Sequence, residues 1–146
     1  MRYPEPLIYP MRQELTRHGV EEARTPKDVD RILAPDSGHV LVVVNSVCGC
    51  AAGCARPGLV QSLQADTVPD KVATVFAGAD LEATAYLRSK LSMYPPSSPS
   101  FALFSDGEPV YMMHRHQIEG RPASTIADAL RVAYETHCAS PQPEGV

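Results

Sequence analysis

Tryptophan is absent from the 146 residues, and six tyrosines with three phenylalanines supply the only aromatic side chains. Long hydrophobic runs are absent as well. The longest aliphatic stretch, Val40-Leu41-Val42-Val43-Val44, spans a strand and falls far short of the ~20 residues a membrane helix needs. The first ten residues hold three prolines and no apolar segment, which is not the pattern of a secretory signal. There is no basic tract: 13 Lys and Arg face 17 Asp and Glu, for a net charge of −4. That argues against a partner held by its phosphate backbone, such as nucleic acid, because such binding needs clustered cations. A small anion held by one or two residues stays open. Internal repeats and low-complexity segments are also missing. The expectation is a cytoplasmic protein with no membrane and no nucleic-acid partner, in a compartment where thiols stay reduced.

What is present fits one globular domain over residues 1–146. Apolar residues make up 44% and charged residues 21%, too apolar for a disordered chain. A chain of this length buries well over half its unfolded surface without cross-links. Proline is the excess, at 14 residues, about twice the usual ~5%. It clusters at Pro4, Pro6 and Pro10, at Pro95, Pro96 and Pro99, and at Pro141 and Pro143.

Two short helices are expected first, within an N-terminal extension over 1–36. Pro10 suits a first helical position and Gly19 a helix end. Thr25-Pro26-Lys27-Asp28 reads as a capping box, with Val29, Ile32 and Leu33 on one face behind it. His39 to Ser46 then reads as a strand buried on both faces. A helix follows from about Cys50 to Ala65, with Pro57 inside and bending it. Lys71 to Ala77 predicts a second strand, and Asp80 a cap for a helix ending near Met93. Phe101–Phe104 and Val110–His114 flank the hairpin signal Ser105-Asp106-Gly107-Glu108. A last helix runs from near Pro122 to Cys138, and 139–146 is expected to be a flexible tail. The order β-α-β-α-β-β-α predicts an α/β fold, a four-stranded mixed sheet with helices on both faces and two extra helices in front. With cysteines at the first strand-to-helix turn, this is the layout of thioredoxins and glutaredoxins.

Three of the four cysteines, Cys48, Cys50 and Cys54, fall within seven positions; Cys138 stands apart. A cluster at one turn points to redox chemistry or a metal rather than to a framework of cross-links. Cys48 sits where a helix begins, and unpaired amides there favour a thiolate, the reactive form. It is the candidate attacking thiol, with Gly49 allowing a tight turn and leaving the sulfur accessible. A Cys48–Cys50 bond closes a small, strained ring, and strained disulfides are the labile ones. Cys54 is one helical turn beyond Cys50, too far along a regular helix for a disulfide. It reads as a packed side chain, with an auxiliary thiol as the sharper alternative. Cys138, about 25 Å away at the end of the last helix, reads as a remote thiol.

Ser97-Ser98-Pro99-Ser100 leads into the third strand, which in a thioredoxin-like sheet starts beside the cysteine turn. Ser98–Pro99 is expected to be cis and to present Ser98 to substrate. The fourth strand returns to the same edge, ending at His114-Arg115-His116. Arg115 is a candidate fork for a carboxylate of a small thiol, and His116 a candidate proton carrier. A solvated strand end is the plain alternative, and no histidine spacing points to a metal.

Several strings together resemble the bacilliredoxin family across nearly the whole chain. They are Asn45-Ser46-Val47-Cys48-Gly49-Cys50-Ala51-Ala52-Gly53, Ala55-Arg56-Pro57, Val75-Phe76-Ala77-Gly78, Pro95-Pro96-Ser97-Ser98-Pro99-Ser100 and Arg115-His116-Gln117-Ile118-Glu119-Gly120. The terminal Cys138 fits as well, whereas Cys54 departs from the pattern. The resemblance implies a cytosolic thioredoxin-like enzyme that removes bacillithiol, a low-molecular-weight thiol, from oxidised protein cysteines. Cys48 would attack, Cys50 would resolve, and a separate reductase would regenerate the pair. Weak disulfide isomerase activity also goes with the family. The implied partners are S-thiolated client proteins and the small thiol, with no bound cofactor or metal; a homodimer is left open. Three other readings stand beside it: a protein disulfide isomerase; a non-enzymatic carrier holding zinc or an iron–sulfur cluster on Cys48, Cys50 and Cys54; and a peroxide-reducing enzyme, for which the sequence shows no dedicated peroxide-binding constellation.

Overall fold

The computed structural model describes residues 2–139. The tail expected over 139–146 lies, from Ser140 on, outside the described residues. In chain order the elements are α1 (Glu5–Thr16), β1 (Glu21–Glu22), α2 (Pro26–Ile32), β2 (His39–Asn45), a π-helical turn (Ala51–Ala55), α3 (Arg56–Ser62), β3 (Lys71–Phe76), α4 (Leu81–Ser89), β4 (Ser100–Ser105), β5 (Glu108–Met113), a 3-10 turn (Arg115–Gln117) and α5 (Ala123–His137).

The sheet has five strands in the order β1-β3-β2-β4-β5, not the four expected. β1, β3 and β2 are parallel, and β4 and β5 continue antiparallel. The extra strand is two glutamates long, with neither alternation nor β-branched residues to announce it. It forms because β3 offers a free parallel edge: Glu21 pairs with Ala73, and Ala23 N–H donates to the Thr74 carbonyl at 2.8 Å. Arg31 and Arg12 then hold Glu21 and Glu22 at 2.6 and 3.1 Å.

β2 shows why its sequence is unbrokenly aliphatic. Val40, Val42 and Val44 enter the core under α2 and α4, with Val29, Ile32, Leu87 and Phe104. Leu41 and Val43 enter the opposite core under α3 and α5, with Leu59, Phe101, Ile126, Leu130 and Tyr134. Alternate side chains of one extended strand point to opposite faces, so a strand covered on both sides must be apolar throughout. α3 and α5 approach closely at Gly58, where an added Cβ would come within 2.7 Å of the Ile126 side chain and 3.1 Å of the Ala123 carbonyl.

Two local expectations change. α1 begins at Glu5, so Pro10 lies inside it rather than at its start. The helix after Asp80 ends at Ser89, and Asp80 makes no side-chain cap. The Asp80 carboxylate instead accepts from Arg12 at 2.8 and 2.9 Å and from Phe76 N–H at 3.0 Å. Arg12 is buried and also bonds Glu5, which ties α1 to the β3–α4 corner. The capping box at Thr25 and Asp28 is present as expected.

Gly58→Val should lower unfolding stability by about 3 kcal/mol, because three carbons must be forced between α3 and α5. A urea midpoint within error of the parent would show that this contact is not tight.

Candidate active site

β2 and β3 are parallel, so both end at the same edge of the sheet, and β4 begins there. The pairs Asn45↔Phe76 and Val44↔Ser100 mark that edge. The chain leaving β2 passes through Ser46 and Val47 to Cys48, whose carbonyl accepts the N–H groups of Ala51 and Ala52 at 3.1 and 3.2 Å. Cys48 therefore stands at the start of the helix, as the sequence predicts.

This helix is not regular. Arg56 N–H donates to the Ala51 carbonyl, five residues back, giving a π turn over Ala51–Ala55. Pro57 supplies the reason. It has no N–H to donate and its ring crowds the turn before it, so the backbone widens there and Pro57 falls in the first turn of α3. Cys54 lies on this turn, half-buried against the α3/α5 core.

A buried cation fixes the corner. Arg56 is 2% exposed; its Nη1 donates to Asn45 Oδ1 at 3.0 Å and to the Ser46 carbonyl at 2.8 Å. Its Nε lies 3.1 Å from Glu14 on α1. Asn45 Oδ1 also accepts from Ser46 N–H at 2.9 Å, and Ser46 Oγ accepts from Cys48 N–H at 3.1 Å. One guanidinium thus holds the last strand residue, the next peptide and α1 together.

The two thiols are driven apart in acidity. Burial pushes the Cys48 thiol up, but the Ser46 hydroxyl, the N–H groups of Ala51 and Cys50 and the charge of Arg115 outweigh it, leaving it below its ordinary value. Cys50 is pushed up by desolvation and by the neighbouring Cys48 sulfur, against the pull of Arg115. A thiolate beside a protonated partner thiol is the pairing that capture followed by resolution requires.

The 95–99 loop closes the other side. Ser98–Pro99 is cis, as expected. Arg115 Nη1 donates to the Ser98 carbonyl at 3.1 Å, Nη2 reaches Cys50 Sγ at 3.8 Å, and Arg115 N–H donates to Ser97 Oγ at 3.2 Å. The structure therefore brings Cys48, Cys50, Ser98, Pro99 and Arg115 to one edge. The strand ends at Met113, and His114-Arg115-His116 turns off it, with Arg115–Gln117 in a 3-10 turn. His116 is exposed and stacks on His114 at 5.5 Å, and His114 meets the Tyr94 ring edge at 5.5 Å. The role expected of Gly49 changes too: its φ is not left-handed, and an added Cβ would meet nothing within 4 Å. Open space, rather than a forced turn, is what Gly49 contributes. Cys138 lies at the opposite end of the sheet near Asp70, its thiol pushed up to about 11 by burial and that carboxylate.

Sequence reasoning missed Asn45, Ser46 and Arg56 as parts of one network. Asn45 and Ser46 read as the end of the strand, and Arg56 stood only in a string that carries the family resemblance. The only available signal was an arginine directly before a proline in a helix packed against a strand end.

Comparison with known proteins gives the same picture. A family model described as disulphide isomerase matches residues 3–138. A bacilliredoxin of Salinibacter ruber is 52% identical over 98% of this chain and 85% of its own length. A bacilliredoxin of Shouchella clausii is 50% identical over 93% of this chain and 94% of its own. Among solved structures, a Halobacterium salinarum thioredoxin variant aligns with a TM-score of 0.57 at 20% identity, over 84% of this chain and 93% of its own. Fasciola hepatica thioredoxin aligns at 0.56 and 21% identity, over 81% and 99%. The fold is that of thioredoxin.

Two outcomes are expected of the corner. Alkylation of Cys48 should rise with pH and level off below the ordinary cysteine range, because the folded state favours its thiolate. Ser46→Ala should move that midpoint upward, and a midpoint at or above a free thiol's would contradict the arrangement. Arg56→Gln should cost about 3 kcal/mol in urea unfolding, since Asn45 Oδ1 and the Ser46 carbonyl lose a charged donor.

Proposed function

The chain belongs to the bacilliredoxin family and is a thiol–disulfide oxidoreductase; from that premise we propose that it removes a low-molecular-weight thiol, bacillithiol, from mixed disulfides on proteins. The observation that supports this most is the Cys48 sulfur, lowered in pKa by surrounding donors with Cys50 beside it.

In the proposed reaction the Cys48 thiolate attacks the small-thiol sulfur of the mixed disulfide. A Cys48–small-thiol bond forms, the old S–S bond breaks, and the client cysteine leaves as a thiolate that takes a proton from water. Cys50 then gives up its proton and attacks Cys48 Sγ. The Cys48–Cys50 disulfide forms and the small thiol leaves. Each step is a two-electron exchange between sulfurs, so regeneration needs an external dithiol or reductase. Arg115, 3.8 Å from Cys50, steadies negative charge on either sulfur. Ser98 and Pro99 form the wall against which the client lies, and His116, stacked on His114, is placed to carry protons at the rim. Cys54 is assigned a packing role, because it rests on the core.

The proposed setting is a reducing cytoplasm. Among the described residues no helix is long and apolar enough to cross a membrane. Nor, among the described residues, do three or more His, Cys, Asp or Glu side chains group to hold a metal ion. Disulfide isomerisation is a second reading, favoured by the same half-buried, polarised pair acting on protein disulfides.

Cys50→Ser protein treated with oxidised bacillithiol should gain one bacillithiol on Cys48 by intact mass and peptide mapping. Cys48→Ser should lose turnover of a bacillithiolated client altogether. No adduct on Cys50→Ser, or equal adduct with oxidised glutathione, would end the bacillithiol assignment.

A further inference from the structure

Behind the 95–99 loop, on the α4 side of the sheet, lies a cavity of about 240 Å³. Val44, Leu91, Tyr94 and Met112 supply apolar walls, and Ser97 and Ser100 line it as well. Arg88, from the last turn of α4, also lines it. Among the described residues its side chain makes one hydrogen bond, a long one, from Nη2 to the Ser97 carbonyl at 3.5 Å. Among the described residues no carboxylate lies within 4.0 Å of Arg88, whereas the neighbouring Lys90 has Asp30. Desolvation without a compensating partner lowers the Arg88 pKa. A half-buried guanidinium on an apolar cavity, with no protein carboxylate beside it, has the charge and the donors to hold a carboxylate.

The position of the cavity selects the ligand. Ser97 is shared: its carbonyl faces Arg88 and its hydroxyl accepts from Arg115 N–H. Arg115 in turn bonds Ser98 and reaches Cys50. One stretch of loop therefore lies between the cavity and the thiol edge, with Ser97 bonded to the arginine on either side. Arg115, the residue the sequence suggests for a carboxylate, is already occupied by Ser98 and by Glu119 at 3.5 Å. Clients differ from one another, but the small thiol is the same in every reaction, so it is the part a fixed cavity can select.

We propose that the cavity behind the 95–99 loop is a subsite for the carboxylate-bearing part of the small thiol, with Arg88 as its anion receptor. The subsite rests on the thiol-exchange reading above and adds to it which half of a mixed disulfide stays on the enzyme. Seating that half in the cavity brings its own sulfur to Cys48, so the new bond forms to the small thiol and the client cysteine departs.

An asymmetric disulfide tests this. 3-Mercaptopropionate is joined to a cysteine in an uncharged, end-blocked peptide, and Cys50→Ser protein is mixed with it. Intact mass then reports which half remains on Cys48. The carboxylated half should predominate, and adding Arg88→Gln should shift the ratio toward the peptide about tenfold. Arg88→Lys should restore part of it. A ratio that Arg88→Gln leaves within twofold, or the peptide as the main adduct of the parent, overturns the subsite while thiol capture stands. No adduct of either kind overturns both the subsite and the thiol-exchange reading. Circular dichroism of each variant confirms that it is folded.

Discussion

Arg56 joins a strand end to a helix start. Its guanidinium is buried with one nitrogen on the Asn45 side chain and the Ser46 carbonyl, and another beside Glu14. A buried cation needs partners for its charge; here Nη1 has two hydrogen bonds, while Nε has Glu14 as an ion-pair neighbour and no hydrogen bond of its own. Ser46 is held by the guanidinium, Cys48 N–H is held by Ser46, and the sulfur's surroundings follow. Freed from that joint, the turn would keep its cysteines and lose their arrangement.

The thiols differ in acidity although they are two residues apart, and the difference is local. Cys48 faces a hydroxyl and helix-terminal amides; Cys50 is half-buried beside Arg115 and the more acidic sulfur. Both respond to Arg115, which arrives at the same end of the sheet after the edge strand β5. Two parallel strands and a hairpin thus converge on one pair of sulfur atoms. α1 acts at one remove, because Arg12 clamps the β3–α4 corner and Glu14 meets Arg56.

The prolines explain much of the irregular backbone. Pro57 widens the helix behind the thiols into a π turn, and Cys54 on that turn packs against the core. Pro95, Pro96 and Pro99 stiffen the loop that walls both the thiol edge and the Arg88 cavity. A rigid loop keeps two sites in fixed relation at little entropic cost on binding.

Periodicity and turn chemistry were enough to place β2, the capping box, the hairpin and the cysteine turn, because each depends on neighbours within a few residues. The unbroken aliphatic run and the two thiols beyond it already carry the fold class and the chemistry. Contacts distant in sequence were decided elsewhere. β1 exists because β3 has an open edge, and Asp80 leaves its cap because Arg12, 68 residues away, binds it more strongly. Arg56 became a joint, and Arg88 a lone cation, only once helices and strands had packed. Hydrophobic spacing reports which side of an element is buried; which charge it meets there depends on chain segments that come together only in three dimensions.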